Sequence, residues 1–551
     1  MKTNNKKSIY VILFLVCLPF IGSAQKQEII MHSNTRMIKT YYDGRIGEWT
    51  ISPDIRPDML EIYDPTIKKK TVKFVSNVDS VTFEVKLNKP VYFSVVYKDD
   101  TAYTGIHLTN SLPNTLSNAD KVMALSLFWS ETRYNFAFFD QLTFDWDSLY
   151  KVYVPMVEAT TNDIDFYEII GKFAGSLQDG HSGIYNNKIS LYIDYIDLSV
   201  KYFNDSLYIV STRDDLIDIY PIGSKILEIN ELPFEEYMNK YINPFVDSKY
   251  KPTQQVLAAA RLLSARQLHD KITLKYITPN QEIRTNTPPR DGERTRWLHV
   301  SVGKEPKPAF YPLEIKWLND NIAILALNSF WHYDGKLISY FEEIKDTLYH
   351  ADAIIIDMRN NGGGSTDIAW YFLQYIIQDS FFINYAWQTR IHDAVRKANG
   401  NWVEEYSSYY EMNAYRTEPG DTIFIGDSIK KFSVPVVILI STMTASAAED
   451  FLVDLYERED RPLLIGQPSF GSTGSPLVFR EWPDPNGYAK VCTRRVLFPY
   501  SLKPLDKGIE PDIWVRYTFE EYMNDVDKET DIAIGELKKM IANRKTQETD
   551  K

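Results

Sequence analysis

The sequence predicts a multi-domain α/β protein. From about residue 310 onwards, strand-like and helix-like segments alternate, which is typical of an α/β core. Before them, residues 25–115 show the apolar–polar alternation of β-strands, and residues 118–178 repeat apolar residues at helical spacing. At 551 residues, the chain is long enough for several such units, each with its own core.

The N-terminus has the three-part pattern of a secretory signal peptide. Three lysines precede an apolar stretch from residue 9 to 21, and the small residues Gly22, Ser23 and Ala24 follow it. We therefore expect cleavage after Ala24 and a periplasmic or secreted protein. An uncleaved anchor helix is the alternative, but about a dozen apolar residues are few for crossing a bilayer.

Charge and cysteine content restrict the partners. The net charge is −13, and the first 24 residues hold three lysines and no acid, which leaves −16 on the rest. Such an acidic body disfavours nucleic acid and anionic membranes as partners. No later segment is long and apolar enough to span a membrane, so we expect no integral membrane segment after cleavage. Beyond the leader Cys492 is the only cysteine, so no intramolecular disulfide can form.

The first two units are predicted from their periodicity. In the β-rich unit, SVTFEVKL and VYFSVVYK alternate apolar and polar residues on either side of a turn at 88–90. The helical unit begins near Asn118, a candidate N-cap, and ends in the loop QDGHSGIYNN. Short β patterns return between about 190 and 300, with a strand at Lys225–Ile229, an Asn-Glu turn and a helix from near Pro233.

The predicted core contains two similar strand–turn–helix units. They read ADAIIIDMRNNGGGSTDIAWYFLQYII and SVPVVILISTMTASAAEDFLVDLYERED, and an insertion at about 380–430 separates them. The first is preceded by a buried strand, NIAILALNSF, and an amphipathic helix, GKLISYFEEIKDTLYHA. Each turn concentrates small residues where a strand meets a helix, so we expect a ligand to approach the backbone there.

Ser446 lies at the second of these turns. The amides of Ala447 and Ala448 have no acceptor within the first helical turn, and the helix dipole adds positive potential. These donors could hold a developing oxyanion while Ser446 attacks a carbonyl. The alternative is that Ser446 or Thr444 only caps the helix.

The first turn contains three consecutive glycines, residues 362–364. An amide of Gly363 or Gly364 could supply a second oxyanion donor, because glycine lets a ligand approach the backbone closely. A phosphate-binding loop is disfavoured, since neither a Lys-Ser/Thr ending nor the dinucleotide-binding spacing is present.

Four segments in this order resemble one family of serine peptidases, the C-terminal processing peptidases and the tricorn protease core. They are AIIIDMRNNGGG, TASAAEDF, GQPSFGSTG and KGIEPDI, within a resemblance that covers roughly residues 118–520. The resemblance implies a crotonase-like α/β peptidase core after an N-terminal helical block, and the segment IGSKILEINELPFEEY resembles part of a degenerate PDZ-like module. It also implies that Ser446 is the nucleophile and that Ala447 forms the oxyanion hole with Gly363 and Gly364.

The resemblance also indicates the general base. C-terminal processing members use a lysine in the GQPSFG-x-TG segment, where this chain has Ser472, and no lysine lies between Lys431 and Lys490. Tricorn-like members use a histidine after the helical block, and LQDGHSGIY places His181 there. A histidine suits proton transfer near neutral pH.

The same resemblance assigns Glu510, in KGIEPDI, as the carboxylate that orients the histidine through a serine. The alternative is that Glu510 is an exposed carboxylate at a strand end, before Pro511. In tricorn-like members that serine directly precedes the histidine, whereas this chain has Gly180 there. The candidates for its place are Ser182 and a water molecule, or the relay consists of His181 and Glu510 alone.

The favoured hypothesis is a secreted or periplasmic serine endopeptidase that acts on polypeptides without a cofactor or metal, since no His/Asp/Glu cluster has metal-ligand spacing. The alternatives are a catalytically inactive peptidase-fold protein that binds peptide or another ligand, and acyl-thioester chemistry on the same fold. Oligomeric state stays open.

The predicted units are the signal peptide 1–24, a β-rich accessory domain 25–115, a helical block 116–188, a PDZ-like module 189–305, the peptidase core 306–520, and a C-terminal helix with polar tail 521–551.

Overall fold

The structure is a computed structural model that describes residues 114–186, 196, 198–213, 216–264, 272–288 and 311–549, together with nine short strands between residues 9 and 107. These strands form a five-stranded sheet, β1-β9-β8-β5-β6, and a four-stranded sheet, β2-β3-β4-β7. Their grouping into an accessory domain stays a prediction. The strands are β1 (Ile9–Tyr10), β2 (Gln27–His32), β3 (Met37–Tyr42), β4 (Glu48–Pro53), β5 (Met59–Tyr63), β6 (Lys70–Lys73), β7 (Val81–Glu84), β8 (Pro90–Val96) and β9 (Thr101–His107).

Three helices form the helical block: α1 (Asn118–Asn135), α2 (Trp146–Glu158) and α3 (Asp163–Gly175). Aromatic side chains fill its core, where the rings of Trp146 and Phe173 stack with centroids 4.4 Å apart. The N-cap of α1 is Ser117, whose side chain accepts a hydrogen bond from the Asp120 amide. Asn118, the expected cap, is instead the first helical residue.

The middle module is an antiparallel sheet with two helices. Its strand order is β11-β12-β13-β15-β16, with β14 beside β13, and it buries its own hydrophobic core. The expected Asn-Glu turn is confirmed, because Asn230 and Glu231 both have positive φ angles at a tight hairpin. The elements are β11 (Leu198–Phe203), β12 (Ser206–Thr212), β13 (Lys225–Ile229), β14 (Leu232–Pro233), α4 (Phe234–Tyr237), α5 (Lys251–Ser264), β15 (Leu274–Ile277) and β16 (Ile283–Asn286).

The α/β core is built on a six-stranded sheet in the order β17-β18-β19-β24-β25-β29. All neighbours are parallel except the pair β17–β18. The strands are β17 (Leu313–Trp317), β18 (Ile322–Leu327), β19 (Ala353–Asp357), β24 (Val436–Ile440), β25 (Leu463–Gly466) and β29 (Ile513–Trp514). The helices of this region are α6 (Lys336–Ile344), α7 (Thr366–Leu373), α10 (Ala447–Tyr456), α11 (Phe519–Met523) and α12 (Lys528–Thr549).

Both faces of this sheet are covered, which explains why its central strands β18, β19 and β24 are almost entirely apolar. On one face α6, α7 and α10 pack around the buried Ile354 and Ile438. On the other face α12 packs Ala533 and Leu537 against Ile355.

Among the described residues, no helix combines the length and apolar character needed to cross a bilayer. The loop with the three glycines 362–364, called the Gly loop below, follows the carboxyl end of β19. The Ser446 turn follows the carboxyl end of β24, which is adjacent to β19 in the sheet.

The remaining strands form small sheets around the core. The insertion contributes β20 (Phe381–Ile383), β21 (Ala386–Arg390), β22 (Tyr415–Glu418) and β23 (Thr422–Phe424), with short helices α8 (Ala394–Asn399) and α9 (Ser407–Tyr410). Strand β21 also pairs with β28 (Arg495–Leu497). Strand β10 (Gly183–Asn186), which follows the His181 loop, pairs with β27 (Gly487–Cys492), and β27 pairs with β26 (Pro476–Val478). The β10–β27 pair therefore connects the helical block to the core.

Candidate active site

Ser446 occupies a strained turn between β24 and α10. Its φ and ψ angles are 57° and −126°, which an L residue rarely adopts. Although Ser446 is the N-cap of α10, its side chain makes no capping hydrogen bond. The interpretation of Ser446 as only a helix cap is therefore wrong, and its Oγ is available to other groups.

The Gly loop contacts this turn directly. Gly363 and Gly364 have φ angles of 94° and 145°. A β-carbon on Gly363 would lie 2.7 Å from Ser446 Cβ and 3.0 Å from Ala447 N, and one on Gly364 would lie 2.3 Å from the Phe330 carbonyl carbon. Both positions therefore require glycine, and the loop backbone lies against the nucleophile turn.

Asn361 connects the Gly loop to the turn. Its side-chain oxygen accepts a hydrogen bond from the Gly363 amide at 2.9 Å, and its backbone oxygen accepts one from the Ala445 amide at 3.0 Å. Within the described part of the chain, the amides of Gly364 and Ala447 donate to no protein oxygen. Of the three expected oxyanion donors, Gly364 and Ala447 are thus available, whereas Gly363 is engaged by Asn361.

His181 lies between two serines. Its Nε2 is 3.1 Å from Ser446 Oγ, and its Nδ1 is 2.7 Å from Ser472 Oγ. When Nδ1 carries the proton and donates it to Ser472, Nε2 presents a lone pair to the Ser446 hydroxyl. The structure therefore brings together two residues that lie 265 positions apart in the sequence.

Ser472 occupies the position expected for a relay serine, and Gly180 makes room for it. A β-carbon on Gly180 would lie 3.2 Å from Ser472 Oγ and 2.8 Å from a ring carbon of Phe470. A serine at position 180 would thus require the Phe470 ring to move and would crowd Ser472. Ser182, the residue expected as a substitute, points elsewhere: it donates to Asp179 at 2.6 Å and accepts a hydrogen bond from the Cys492 amide at 3.0 Å.

Glu510 is not brought to the histidine. Its half-exposed carboxylate pairs with Lys507, three residues earlier, and no described contact joins it to His181 or Ser472. The expected relay through Glu510 is therefore absent from this structure, because the neighbouring lysine holds the carboxylate at the surface.

Glu449, in the first turn of α10, contacts the loop that contains Ser472. It is fully buried and accepts hydrogen bonds from Ser469 Oγ at 2.5 Å, the Gly471 amide at 2.7 Å and the Ser472 amide at 2.9 Å. Burial raises the pKa of Glu449 to about 7, and these three donors oppose the rise. The carboxyl group thus fixes the segment that carries Ser472.

The surroundings of His181 favour its neutral form. Burial lowers the pKa of the imidazole, Asp179 acts in the opposite direction, and Lys490 adds to the lowering. A neutral imidazole can accept a proton near neutral pH. The part of the chain that the structure describes contains no group of three or more His, Cys, Asp or Glu side chains placed to bind a metal ion.

We predict that Gly363→Ala destabilises the protein by about 2 kcal/mol or more, because the new methyl group meets backbone atoms at a positive φ angle. The matched control is Gly362→Ala, whose β-carbon would meet nothing within 4 Å. We expect the control to change stability by less than about 1 kcal/mol. Urea unfolding midpoints measure both, and equal midpoints for the two variants would contradict the described contact.

Two family models match the chain. Residues 321–515 match peptidase family S41, and residues 124–175 match the tricorn protease C1 domain. The first match contains the Gly loop, Ser446 and Ser472, and the second covers much of the helical block that precedes His181.

Solved structures with a related fold include mature CPAF complexed with lactacystin, at a TM-score of 0.57 and 15% sequence identity. That match covers 78% of this chain and 99% of the other. A putative peptidase from Parabacteroides merdae matches at 19% identity and a TM-score of 0.42, over 77% of this chain and 97% of the other. The photosystem II D1 C-terminal processing protease matches at 13% identity and a TM-score of 0.39, over 72% and 93%.

Identities this low indicate a shared fold alone, and among these three structures the CPAF match has the highest TM-score. The mixed α/β architecture resembles that of the CPAF structure, and the family match covers the segment with the strained serine. Residues 321–515 match peptidase family S41, and this match identifies the protein as a serine-type peptidase.

Proposed function

We propose that the protein is a secreted or periplasmic serine endopeptidase in which Ser446 is the nucleophile and His181 is the general base. The observation that carries this proposal is the 3.1 Å separation between Ser446 Oγ and His181 Nε2. That distance is within hydrogen-bond reach, as proton transfer between the two groups requires.

In the acylation step, Ser446 Oγ attacks the carbonyl carbon of the scissile peptide bond while Nε2 of His181 takes its proton. The carbonyl oxygen becomes negatively charged and needs donors that are already in place. The Ala447 amide, at the positive end of the α10 dipole, and the Gly364 amide supply them. Gly363 contributes chiefly by keeping its loop against the serine.

The imidazolium then gives its proton to the leaving amine, and the acyl-enzyme forms as the C–N bond breaks. In the second half-reaction, His181 accepts a proton from water, the resulting hydroxide attacks the ester, and Ser446 regains its hydrogen. Ser472 accepts the Nδ1–H bond throughout at 2.7 Å, and so keeps the same ring nitrogen facing the nucleophile.

The location rests on the leader sequence alone, with its lysines, apolar stretch and small residues before position 25. A secreted or periplasmic enzyme of this kind would act on polypeptides. In this proposal the unit 25–115 is an accessory domain, and the module at 189–305 is PDZ-like. The PDZ-like assignment is supported by the position of β11. This strand lies at the edge of the described sheet and alongside α5.

A cavity offers a binding space that also suits a second candidate function, that of a catalytically inactive peptidase-fold protein that binds peptide or another ligand. The cavity has a volume of about 1010 Å³ and lies between the middle module and the core. Its lining includes Tyr202, Gln255, Arg359, Ser441, Trp514 and Tyr522. An extended peptide would fit a space of this size, whether as a ligand or as part of a substrate.

The two functions are distinguished by labelling with a fluorophosphonate probe, which reacts with activated serines. We expect one label per chain in the wild type, none in Ser446→Ala, and a labelling rate about 10³-fold lower in His181→Ala. We expect the labelling rate of Ser472→Ala to be about 10- to 100-fold lower than that of the wild type, because this change removes only the group that orients the imidazole. A folded wild-type protein that does not label would favour the binding function.

The labelling rate should also depend on pH in a defined direction. Because burial lowers the pKa of His181 below its usual 6.5, the base stays neutral in mildly acidic solution. We expect the rate to rise with pH through a midpoint below 6.5 and to reach a plateau near neutrality. A midpoint near 9 or 10 would contradict His181 and indicate a lysine base, for which Lys490 is the first candidate.

A further inference from the structure

We propose that Asp179 is the carboxylate of the relay and acts as a positioning residue on His181 through Ser472. This inference rests on the proposed peptidase mechanism and deepens it, because it gives the relay a different acid from the expected Glu510. The sequence alone did not single out Asp179, although it lies only two residues before the histidine.

The geometry forms a chain from nucleophile to carboxylate. Ser472 Oγ lies 2.7 Å from His181 Nδ1 and 3.5 Å from Asp179 Oδ1. The Nδ1–H donates to the serine oxygen, and the serine hydroxyl has its own hydrogen to donate to the carboxylate. The second separation is long for such a bond, and hydrogen bonds in free active sites commonly shorten when the substrate complex forms.

Asp179 is itself held in place from the other side. Its second oxygen, Oδ2, accepts a hydrogen bond from Ser182 Oγ at 2.6 Å, and Ser182 Oγ accepts one from the Cys492 amide at 3.0 Å. Since Cys492 belongs to β27, the carboxylate is anchored to the strand that also positions β10. The role of Ser182 is therefore to orient the acid, not to contact the histidine.

Electrostatics around the imidazole agree with this assignment. Asp179 has the largest influence of any charged neighbour on the pKa of His181, and it favours the imidazolium that forms during the reaction. Lys490 and Arg494 oppose it, and Asp450 supports it less strongly. Burial raises the pKa of Asp247, whose charge interacts with that of Asp179, so at a given pH Asp247 carries less negative charge than an exposed aspartate would.

Gly180 explains why the relay is rearranged. Because a side chain at position 180 would meet both Ser472 and Phe470, the serine next to His181 comes from the core. Ser472 then has its hydroxyl between the imidazole and the loop that carries Asp179. The proton stays on the imidazole in this scheme, and Asp179 only stabilises the charge and the ring orientation.

The test is the pH dependence of fluorophosphonate labelling in Asp179→Asn, Ser182→Ala and Glu510→Gln. Loss of the Asp179 charge lowers the pKa of His181, so the acid-side midpoint of Asp179→Asn should move down by about 0.5 to 1 pH unit. Its plateau rate should fall about 10- to 100-fold, because the imidazolium loses its counter-charge. Ser182→Ala keeps the charge and should lower the rate by a smaller factor with the midpoint unchanged.

Two results would overturn the inference: an unchanged midpoint in Asp179→Asn, or a lowered midpoint in Glu510→Gln instead. If Asp179→Asn does not fold, Asp179→Glu replaces it, and retention of the wild-type midpoint is expected because the charge is kept. A lowered midpoint in that variant would also count against Asp179. If the wild type shows no Ser446-dependent labelling, the proposed function fails, whereas normal wild-type labelling with an unmoved Asp179→Asn midpoint rejects Asp179 alone.

Discussion

Two hydrogen bonds on opposite nitrogens of one imidazole hold the site together. His181 comes from the loop after the helical block, whereas Ser446 and Ser472 belong to the α/β core. The site therefore depends on how these two parts of the chain are joined. The antiparallel pairing of β10 with β27 joins them, with Gly183 opposite Lys490, only two residues after the histidine. A change in the register of that strand pair would move His181 away from Ser446.

The core supplies a matching constraint through helix α10. Ser446 precedes the first turn of this helix, and Glu449 in that turn binds the amides of Gly471 and Ser472. The nucleophile and the serine that orients the base are thus fixed to the same few residues. On the opposite side, Asn361 accepts hydrogen bonds from the Gly363 and Ala445 amides, and so it keeps the Gly loop against the Ser446 turn. The strained backbone of Ser446 persists because the turn is held from both sides.

Much of the fold and part of the site could be predicted from the sequence, because those features are local. Strand and helix periodicity predicted the α/β core, and the Gly loop and the serine turn are short motifs whose chemistry is contained in a few residues. His181 followed from the resemblance of its loop to that of tricorn-like peptidases. Its hydrogen bond to Ser446 is consistent with that assignment.

The contacts between loops could not be predicted, because they depend on side-chain directions across distant segments. Ser472 was noted only as the residue in place of a lysine, yet its hydroxyl meets His181. Nothing in the position of Glu449, one helical turn after Ser446, predicts that its buried carboxylate accepts hydrogen bonds from another loop. Glu510 was expected from its motif position, but the nearby Lys507 holds it. Motif position alone does not show which carboxylate faces the imidazole.

The protonation of the two His181 ring nitrogens decides whether this residue can act as the base. Nitrogen-15 spectroscopy of protein labelled at histidine, with His181→Ala to assign the signals, shows which ring nitrogen carries the proton near neutral pH. We expect a protonated Nδ1, hydrogen bonded to Ser472, and an unprotonated Nε2 facing Ser446. A protonated Nε2 beside a bare Nδ1 would contradict it, since His181 could not then accept the serine proton.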